Sequence, residues 1–169
     1  LKIELKNNGL FDVYEHLESK LIPVLAQMEE NGIKIDKKYF KDFENELNEK
    51  IDKLISNIHK IANEEFNIDS SQQLGEILFE KMQIPVVKKT KTRYSTDVEV
   101  LEKIANNEEL SDEKREIAKN LLEYRAFKKL LSTYIEPIPQ YADKDDRIHT
   151  TFNQNGTATG RLSSANPNL

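Results

Sequence analysis

Apolar residues recur at intervals of three and four through most of the chain before Pro137, as amphipathic helices require. The first stripe covers residues 10–30. Asn31-Gly32 ends it, because glycine commonly follows the last helical turn, and residues 33–35 then form a brief extended link. The apolar members of this first stripe are Leu17, Leu21, Leu25 and Met28.

A much longer stripe follows and predicts a rod-like helix. Asp36 can cap its N-terminus, and the apolar positions continue as far as Phe66. At 1.5 Å per residue such a helix is about 44 Å long, so it should reach out from the body of a protein. The members of this stripe are Phe40, Phe43, Leu47, Ile51, Leu54, Ile55, Ile58, Ile61 and Ala62.

Three more helices are predicted by their N-terminal signals. Two begin with a capping box, in which a hydroxyl and an acid or amide three residues later satisfy each other's backbone donors. A last long helix begins at Ser111, with acids in its first turn, and ends near Tyr134. The capping boxes and their helices are Ser70 with Gln73 for 71–82, and Thr96 with Glu99 for 97–106.

The pattern changes to alternation after residue 146. Ile148, Thr150 and Phe152 alternate with polar residues, and Asn155-Gly156 is the strongest short hairpin signal that a sequence can carry. We therefore expect a boundary near 140–146, and a mainly α fold with a short C-terminal β-hairpin. The strands of this hairpin are predicted over 147–154 and 157–162.

Composition narrows the class of protein. The chain has 169 residues, a net charge of −5 and no cysteine, which excludes a disulfide framework and a thiolate metal site. No apolar run approaches the roughly 20 residues that span a bilayer. The chain starts on Leu1 rather than methionine, and we expect a segment of a longer cytoplasmic protein.

A basic island lies in this acidic chain, since no acid occurs between Glu80 and Asp97. It ends at Ser95-Thr96, where a helix N-terminus favours phosphate through its free N–H groups and dipole. Two interpretations stay open, a phosphate-binding loop and a solvated, flexible tip. The cations of the island are Lys81, Lys88, Lys89, Lys91 and Arg93.

The last helix carries a second group of cations. Arg125 and Lys129 are four residues apart and therefore share a face, with Ser132 about one turn further. No acid occurs between Arg125 and Leu131, so these cations lack partners nearby in sequence. The alternative is an ordinary solvent face, balanced by the acids earlier in the helix.

No catalytic constellation is present. The three histidines, His16, His59 and His149, are scattered and fit surface or strand positions. The run Asp143, Asp145 and Asp146 lacks the glycine and distal glutamate of a calcium loop, which favours a solvated turn. The sequence therefore predicts neither catalytic residues nor a metal site in this chain.

The stretch TATGRLSSANPNL at the C-terminus is rich in hydrogen-bond donors. Gly160 allows close approach of the backbone just before Arg161 projects its guanidinium. Correct base pairs present acceptors at nearly the same places in the DNA minor groove, so donors there test pair geometry without reading sequence. The alternative is a polar loop on a hairpin. The donors are Arg161, Asn166 and Asn168 in this stretch and Gln154 just before it.

TATGRLSSANPNL closely resembles the segment that opens the palm of family A DNA polymerases, the bacterial DNA polymerase I group. FNIDSSQQLGEILFEKMQIP, RYSTDVEVLEKI and LEYRAFKKLLSTYIEPIP resemble successive pieces of the thumb, and RIHTTFNQ resembles the start of the palm. The resemblance implies long antiparallel thumb helices followed by the first palm hairpin. It divides the chain into the tail of an exonuclease-like region (1–22), the thumb (23–140) and a truncated palm (141–169).

The resemblance also implies a function, which is to grip primer-template duplex through its backbone and minor groove during replication or repair synthesis. Arg161 would contact the primer-terminal pair, Arg125 and Lys129 would approach the backbone, and the Lys88 to Thr96 loop would lie over the duplex. The full set of DNA-binding residues that we predict is Lys88, Lys89, Lys91, Arg93, Ser95, Thr96, Arg125, Lys129, Ser132, Gln154, Arg161 and Asn168.

The chemistry of the family is nucleotidyl transfer by two magnesium ions, which clamp the attacking and leaving oxygens. The aspartates that hold these ions would lie beyond Leu169, so we expect no cofactor in this chain and no activity from it alone. The implied partners are double-stranded primer-template and, for the complete enzyme only, dNTPs. We expect a monomer in the bacterial cytosol or nucleoid, without membrane contact.

Two rival functions remain. A helical interaction module would use the long 37–65 helix to bind another protein and would have no nucleic-acid role. A single-strand binder would need aromatic stacking platforms, for which Tyr94 alone in the basic loop is poor support.

Overall fold

The computed structural model describes residues 1–88 and 94–169. Contacts between residues divide the chain into two compact units. We call residues 41–135 the continuous unit, and residues 1–40 together with 136–169 the discontinuous unit. These contact boundaries differ from the 22/23 and 140/141 boundaries that the resemblance implies, and the domain assignment itself stays a prediction.

Helices dominate the described chain, which confirms the predicted mainly α fold. π-helical segments extend three of them, Tyr14–Glu18 after α2, Glu76–Lys81 after α5 and Leu131–Ile135 after α7, and a 3-10 turn covers Ile138–Tyr141. The helices are α1 (Lys2–Asn7), α2 (Phe11–Val13), α3 (Ser19–Asn31), α4 (Lys37–Ala62), α5 (Ser71–Gly75), α6 (Val98–Ala105) and α7 (Asp112–Leu130).

The long helix α4 forms as its stripe predicts. Asp36 Oδ1 accepts a hydrogen bond from the Tyr39 backbone N–H at 3.0 Å, which confirms the N-cap. The helix ends at Ala62, four residues before Phe66, because Asn63 adopts a left-handed conformation with φ 55°. At 1.5 Å per residue α4 is about 39 Å long.

The two capping boxes have different outcomes. Ser70 Oγ accepts from the Gln73 N–H at 3.4 Å, so that cap is confirmed. The Thr96 cap is wrong, because α6 is capped by Asp97, whose carboxylate accepts from the Val100 N–H at 3.0 Å. A carboxylate interacts better than a neutral hydroxyl with the positive end of a helix, and Thr96 is buried.

The core of the continuous unit is built from one face of each of its helices. On α4 the buried positions are four, three and four residues apart, and they are Leu47, Ile51, Leu54 and Ile58. Fully enclosed side chains from the other helices complete this core. They include Leu74, Leu78, Leu101, Ile104, Ile117 and Leu121.

Two short antiparallel strand pairs lie in the discontinuous unit. Strand β1 (Ile33–Lys34) pairs with β2 (Arg147–Ile148), and β3 (Thr151–Asn153) pairs with β4 (Ser163–Ala165). The predicted second strand, 157–162, is therefore wrong, because residues 154–162 form the connection instead of a two-residue turn at Asn155-Gly156. Gly156 lies against Ser163. A Cβ added at position 156 would overlap the Oγ of Ser163.

Candidate nucleic-acid interface

The N-terminus of α6, where the sequence suggested a free phosphate site, already holds a carboxylate. Besides the Val100 N–H, Asp97 accepts a hydrogen bond from Ser95 Oγ at 2.8 Å. The Ser95 hydroxyl, the Val100 N–H and Lys88 together hold the pKa of Asp97 at about 2. A phosphate at this helix end would meet a negative charge, which weighs against the phosphate-binding interpretation of this N-terminus.

Lys88 is the last described residue of the basic island before residue 94, and it faces acids of its own chain. Its Nζ lies 3.2 Å from Asp97 Oδ2 and 3.8 Å from Glu99 Oε2. The hydrogen bond with Asp97 raises the pKa of Lys88. The side chain is 53% exposed, so Lys88 can reach a ligand by exchanging these carboxylates for it. The cations Lys89, Lys91 and Arg93 lie outside the described residues.

Arg125 points into the continuous unit and holds the segment before α6. Its guanidinium donates to the Thr96 carbonyl and, at 3.3 Å, to Thr96 Oγ1. Burial lowers the pKa of Arg125, because the charged form loses solvation. Ser95 and Thr96 are both buried, at 7% and 6% exposure. These three predicted DNA-binding residues therefore direct their polar groups to partners inside the chain.

Asp69 forms a second polar link that the sequence did not reveal. Its Oδ1 accepts from the Tyr124 hydroxyl at 3.0 Å, and its Oδ2 lies 3.4 Å from Lys128 Nζ. Burial raises the pKa of Tyr124 to about 12. One signal was available, since Tyr124 continues the buried stripe of α7 after Leu121, and a buried phenol needs a partner.

Among the described residues of the continuous unit, Lys129 and Ser132 are predicted contacts that face solvent. Both are exposed, and within the described residues no acid forms an ion pair with Lys129. Lys129 lies in the last turn of α7, whereas Ser132 belongs to the π-helical segment that follows. The shared face expected for Arg125 and Lys129 therefore carries one inward and one outward cation.

In the discontinuous unit, Gln154 is committed to an internal contact. Its amide Nε2 donates to the Glu18 carbonyl at 3.1 Å and to Glu18 Oε2 at 2.8 Å. It thereby joins the end of β3 to the π-helical segment before α3. Spacing in the sequence could not indicate this pair, because the two residues are 136 positions apart.

Arg161 lies exposed in the connection between β3 and β4. Thr157 Oγ1 donates to the Arg161 carbonyl at 2.6 Å, which fixes the backbone at this position. Among the described residues no carboxylate pairs with that guanidinium. Gly160 has φ 75° and no atom of the chain near its missing Cβ, so its conformation, rather than crowding within the chain, calls for glycine.

Asn168 is exposed, and its neighbours are well anchored. Thr150 is buried, and its hydroxyl faces the carbonyls of Ala165 at 3.1 Å and Pro167 at 2.6 Å. Ser164 Oγ accepts from the Leu169 N–H at 2.9 Å. The amide of Asn168 therefore extends from a segment that is held on both sides.

The predicted DNA-binding residues that the structure describes are divided between the two units, with Lys129 and Ser132 in the continuous unit. Lys88, Ser95, Thr96 and Arg125 form one hydrogen-bonded neighbourhood in the continuous unit. Gln154, Arg161 and Asn168 belong to the discontinuous unit. Within residues 1–88 and 94–169, no cluster of three histidine, aspartate or glutamate side chains could hold a metal ion. None of the helices in these ranges has both the length and the apolar composition of a membrane span.

Comparison with known proteins decides the family. The family model described as DNA polymerase family A matches residues 37–169. The chain belongs to DNA polymerase family A. Two curated relatives are the DNA polymerase I of Caldicellulosiruptor bescii, 50% identical over 93% of this chain, and that of Bacillus subtilis, 47% identical over 98%. The chain spans 18% of the length of each relative.

A solved structure of the family agrees with the fold. The chain matches the structure titled POL domain of Pol1 from M. smegmatis complex with DNA primer-template and dNTP. The TM-score is 0.81 at 31% sequence identity, and the match covers 99% of this chain and 29% of the other. These findings confirm both the family resemblance and the mainly α polymerase-fragment fold.

Proposed function

We propose that this chain is the DNA-gripping thumb segment, with the start of the palm, of a DNA-directed DNA polymerase. The observation that carries the proposal is the match, over 99% of the chain, to a polymerase domain whose title includes a DNA primer-template. The partner of this segment is then primer-template duplex, held through its backbone and minor groove. dNTPs are a partner of the complete polymerase only.

The described contacts divide the predicted residues by role. Lys129, Ser132, Arg161 and Asn168 are exposed and accessible, and we assign direct DNA contact to them. Lys88 joins them when a phosphate replaces Asp97. Three further cations of the basic island, Lys89, Lys91 and Arg93, lie outside the described residues, and we assign them the DNA-binding role that the sequence predicts.

In this proposal, the residues that are hydrogen-bonded inside the chain affect DNA binding indirectly, because they position the residues that contact DNA. Ser95 and Thr96 fix the C-terminal end of the basic island, and Arg125 ties that end to α7. Gln154 fixes the end of β3, from which the connection carrying Arg161 departs. A neutral hydroxyl buried at 6 or 7% exposure cannot reach a phosphate unless the fold opens locally.

Catalysis is assigned to parts of the complete polymerase other than this chain. The described residues offer no cluster of acids for the two magnesium ions that nucleotidyl transfer uses, so no step of the reaction is placed here. The chain alone should extend no primer when it is given primed template, Mg²⁺ and dNTPs. Measurable extension would contradict this assignment.

The salt dependence of duplex affinity tests whether the chain binds DNA through phosphate contacts. Each phosphate contact contributes about 0.9 to the slope of log affinity against log salt, so roughly four or five contacts give a slope near −4. A helical interaction module would bind duplex weakly at every salt concentration, and that outcome would refute the proposal. Replacing Lys88, Lys89 and Lys91 by alanine together should weaken binding, flatten the slope and reduce processivity.

Arg161 should behave differently from those lysines. In the complete polymerase, Arg161→Ala should lower extension, most of all from mismatched termini, while duplex affinity changes less. Lys144→Ala is a matched control, because Lys144 is another exposed cation of the discontinuous unit. If Arg161→Ala and the triple lysine variant gave the same ratio of extension loss to affinity loss, the division of roles would be wrong.

A further inference from the structure

His149 has an acceptor opposite each of its two ring nitrogens. Nδ1 lies 2.8 Å from the Glu29 carbonyl oxygen, and Nε2 lies 3.2 Å from Asp143 Oδ2. A carbonyl has no proton to give, and neither has a carboxylate. Neutral imidazole has a single N–H and could satisfy one of them, whereas imidazolium satisfies both. The surroundings of this ring are therefore built for its charged form.

The imidazole ring fits closely against the end of α3. A Cβ on Gly32, which has φ 61°, would come within 2.8 Å of His149 Cε1, so the ring occupies the space that a side chain would take. Arg147 Nη1 donates to the carbonyls of Asn31 at 2.8 Å and Gly32 at 3.2 Å. Two cationic side chains thus meet the negative end of the α3 dipole.

The carboxylate that faces His149 is itself held in place. Asp143 Oδ1 accepts from the backbone N–H groups of Asp145 and Arg147, both at 2.8 Å. This leaves Oδ2 directed at the imidazole. The strand region after His149 is also tied to α3 through Glu29, whose carboxylate accepts from the Phe152 N–H at 2.6 Å. The position of the ring between α3 and the turn 143–147 is therefore determined from both sides.

We propose that His149 is a positioning residue that acts as an imidazolium clasp between the C-terminus of α3 and the turn before β2. The clasp fixes the segment 147–153 and, through it, the connection 154–162 that carries Arg161. The part of this inference that concerns DNA rests on the function proposed above. The part that concerns the protonation and position of the ring does not.

The sign of the pH dependence follows from the groups around the ring. The Glu29 carbonyl and the Asp143 carboxylate raise the pKa of His149 and outweigh burial and the nearby Arg147 cation. A pKa raised by folding means that the contribution to stability is complete below the unfolded value, about 6.5. The clasp is then lost as pH rises through the higher pKa of the folded state.

The protonation state can be measured directly in the complete polymerase labelled with ¹³Cε1 histidine. The His149 signal is identified by its loss in His149→Gln and should titrate above about 6.5. Asp143→Asn should lower that midpoint, and the other histidine signals serve as internal controls. A His149 midpoint at or below the ordinary value, or one that Asp143→Asn leaves unchanged, would overturn the proposal. If His149→Gln does not fold, Asp143→Asn identifies the signal by its shift.

A kinetic comparison tests the positioning role. We expect the extension loss caused by Arg161→Ala to shrink as pH rises through the measured His149 midpoint. In a His149→Gln background that loss should no longer depend on pH. The same pH dependence in both backgrounds would overturn the positioning role. No loss from Arg161→Ala at any pH, together with the expected titration, would instead reject the proposed DNA function and leave the clasp standing.

Discussion

The two units of the chain bury apolar side chains to very different extents. Among the described residues of the continuous unit, most large apolar side chains are enclosed, and the exposed ones are Val86, Val87 and Val98. In the described part of the discontinuous unit the enclosed ones are Leu25, Ile138 and Ile148. Its exposed large apolar side chains are Leu1, Ile3, Leu10, Val13, Leu17, Ile22, Val24, Met28, Ile33, Tyr39, Tyr141, Leu162 and Leu169.

The difference shows that the two units are held by different forces. Apolar burial is non-directional and holds the helices of the continuous unit along whole faces. The discontinuous unit depends more on directional contacts between α2–α3 and the strand region, which come from Arg147, His149 and Gln154. Such contacts fix geometry closely, but each contributes little net free energy.

The largest expected effect on stability comes from replacing one leucine in each unit by alanine. Leu121 is fully buried, so Leu121→Ala should lower the free energy of unfolding by about 2–5 kcal/mol. Leu17 is 58% exposed, and Leu17→Ala should change it by less than about 0.5 kcal/mol. Urea denaturation of the 169-residue chain, followed by circular dichroism, measures both. Equal losses would show that the units do not differ in the way their burial indicates.

A smaller difference in stability is expected between the alanine variants of Arg125 and Arg161. Arg125→Ala removes two charge-assisted hydrogen bonds to Thr96 and should destabilise the continuous unit by about 2 kcal/mol. Arg161→Ala removes an exposed guanidinium for which the described residues supply no ion pair, and it should cost less than about 0.5 kcal/mol. The same denaturation experiment measures both, and Arg125→Lys should recover only part of the loss because lysine lacks the planar fork. A larger loss at Arg161 than at Arg125 would reverse the assigned roles.

Local sequence patterns predicted the helices and caps that depend on residues close together in the sequence. Periodicity gave α4 and α7 because each buries one face, and Asp36 and Ser70 cap helices as their side chains allow. The cap of α6 was misassigned because two adjacent residues, Thr96 and Asp97, could both serve. Arg125, 29 positions away, donates a hydrogen bond to the Thr96 hydroxyl oxygen. The choice of Asp97 as the cap therefore depends on a contact that is distant in sequence.

The candidate site was less predictable than the helices, because its contacts join distant parts of the chain. The pairing of β1 with β2 joins residues 33–34 to 147–148. The predicted single strand 147–154 is therefore wrong, because it is divided into β2 and β3, which pair with different strands. The link from Gln154 to Glu18 has no local signal either. The types of residue in the site followed from the sequence, whereas which of them face solvent required the fold.

The smallest expected effect is the loss, at low pH, of the contribution that Asp97 makes to stability. Its pKa of about 2 is depressed by folding, so its contribution to stability is complete above the unfolded value, about 3.9, and is lost as pH falls through 2. The side-chain amide introduced by Asp97→Asn can still accept from the Val100 N–H and should keep the cap. The continuous unit of this variant should therefore lose less stability than the native one between those two pH values, as measured by acid titration at fixed urea concentration.

Asp97→Asn should also release Lys88 from its stronger counterion, which extends the comparison from stability to binding. Duplex affinity at low salt should rise, and the slope of log affinity against log salt should steepen by up to about 0.9, the share of one further phosphate contact. Glu102→Gln is a matched control, since it removes one exposed acid of α6 for which no ion pair occurs within the described residues. An equal gain from both variants would mean that general charge, rather than the Lys88–Asp97 pair, sets the affinity. In that case the cations of the continuous unit would act through their sum, and only the discontinuous unit would bind DNA through a geometrically defined contact.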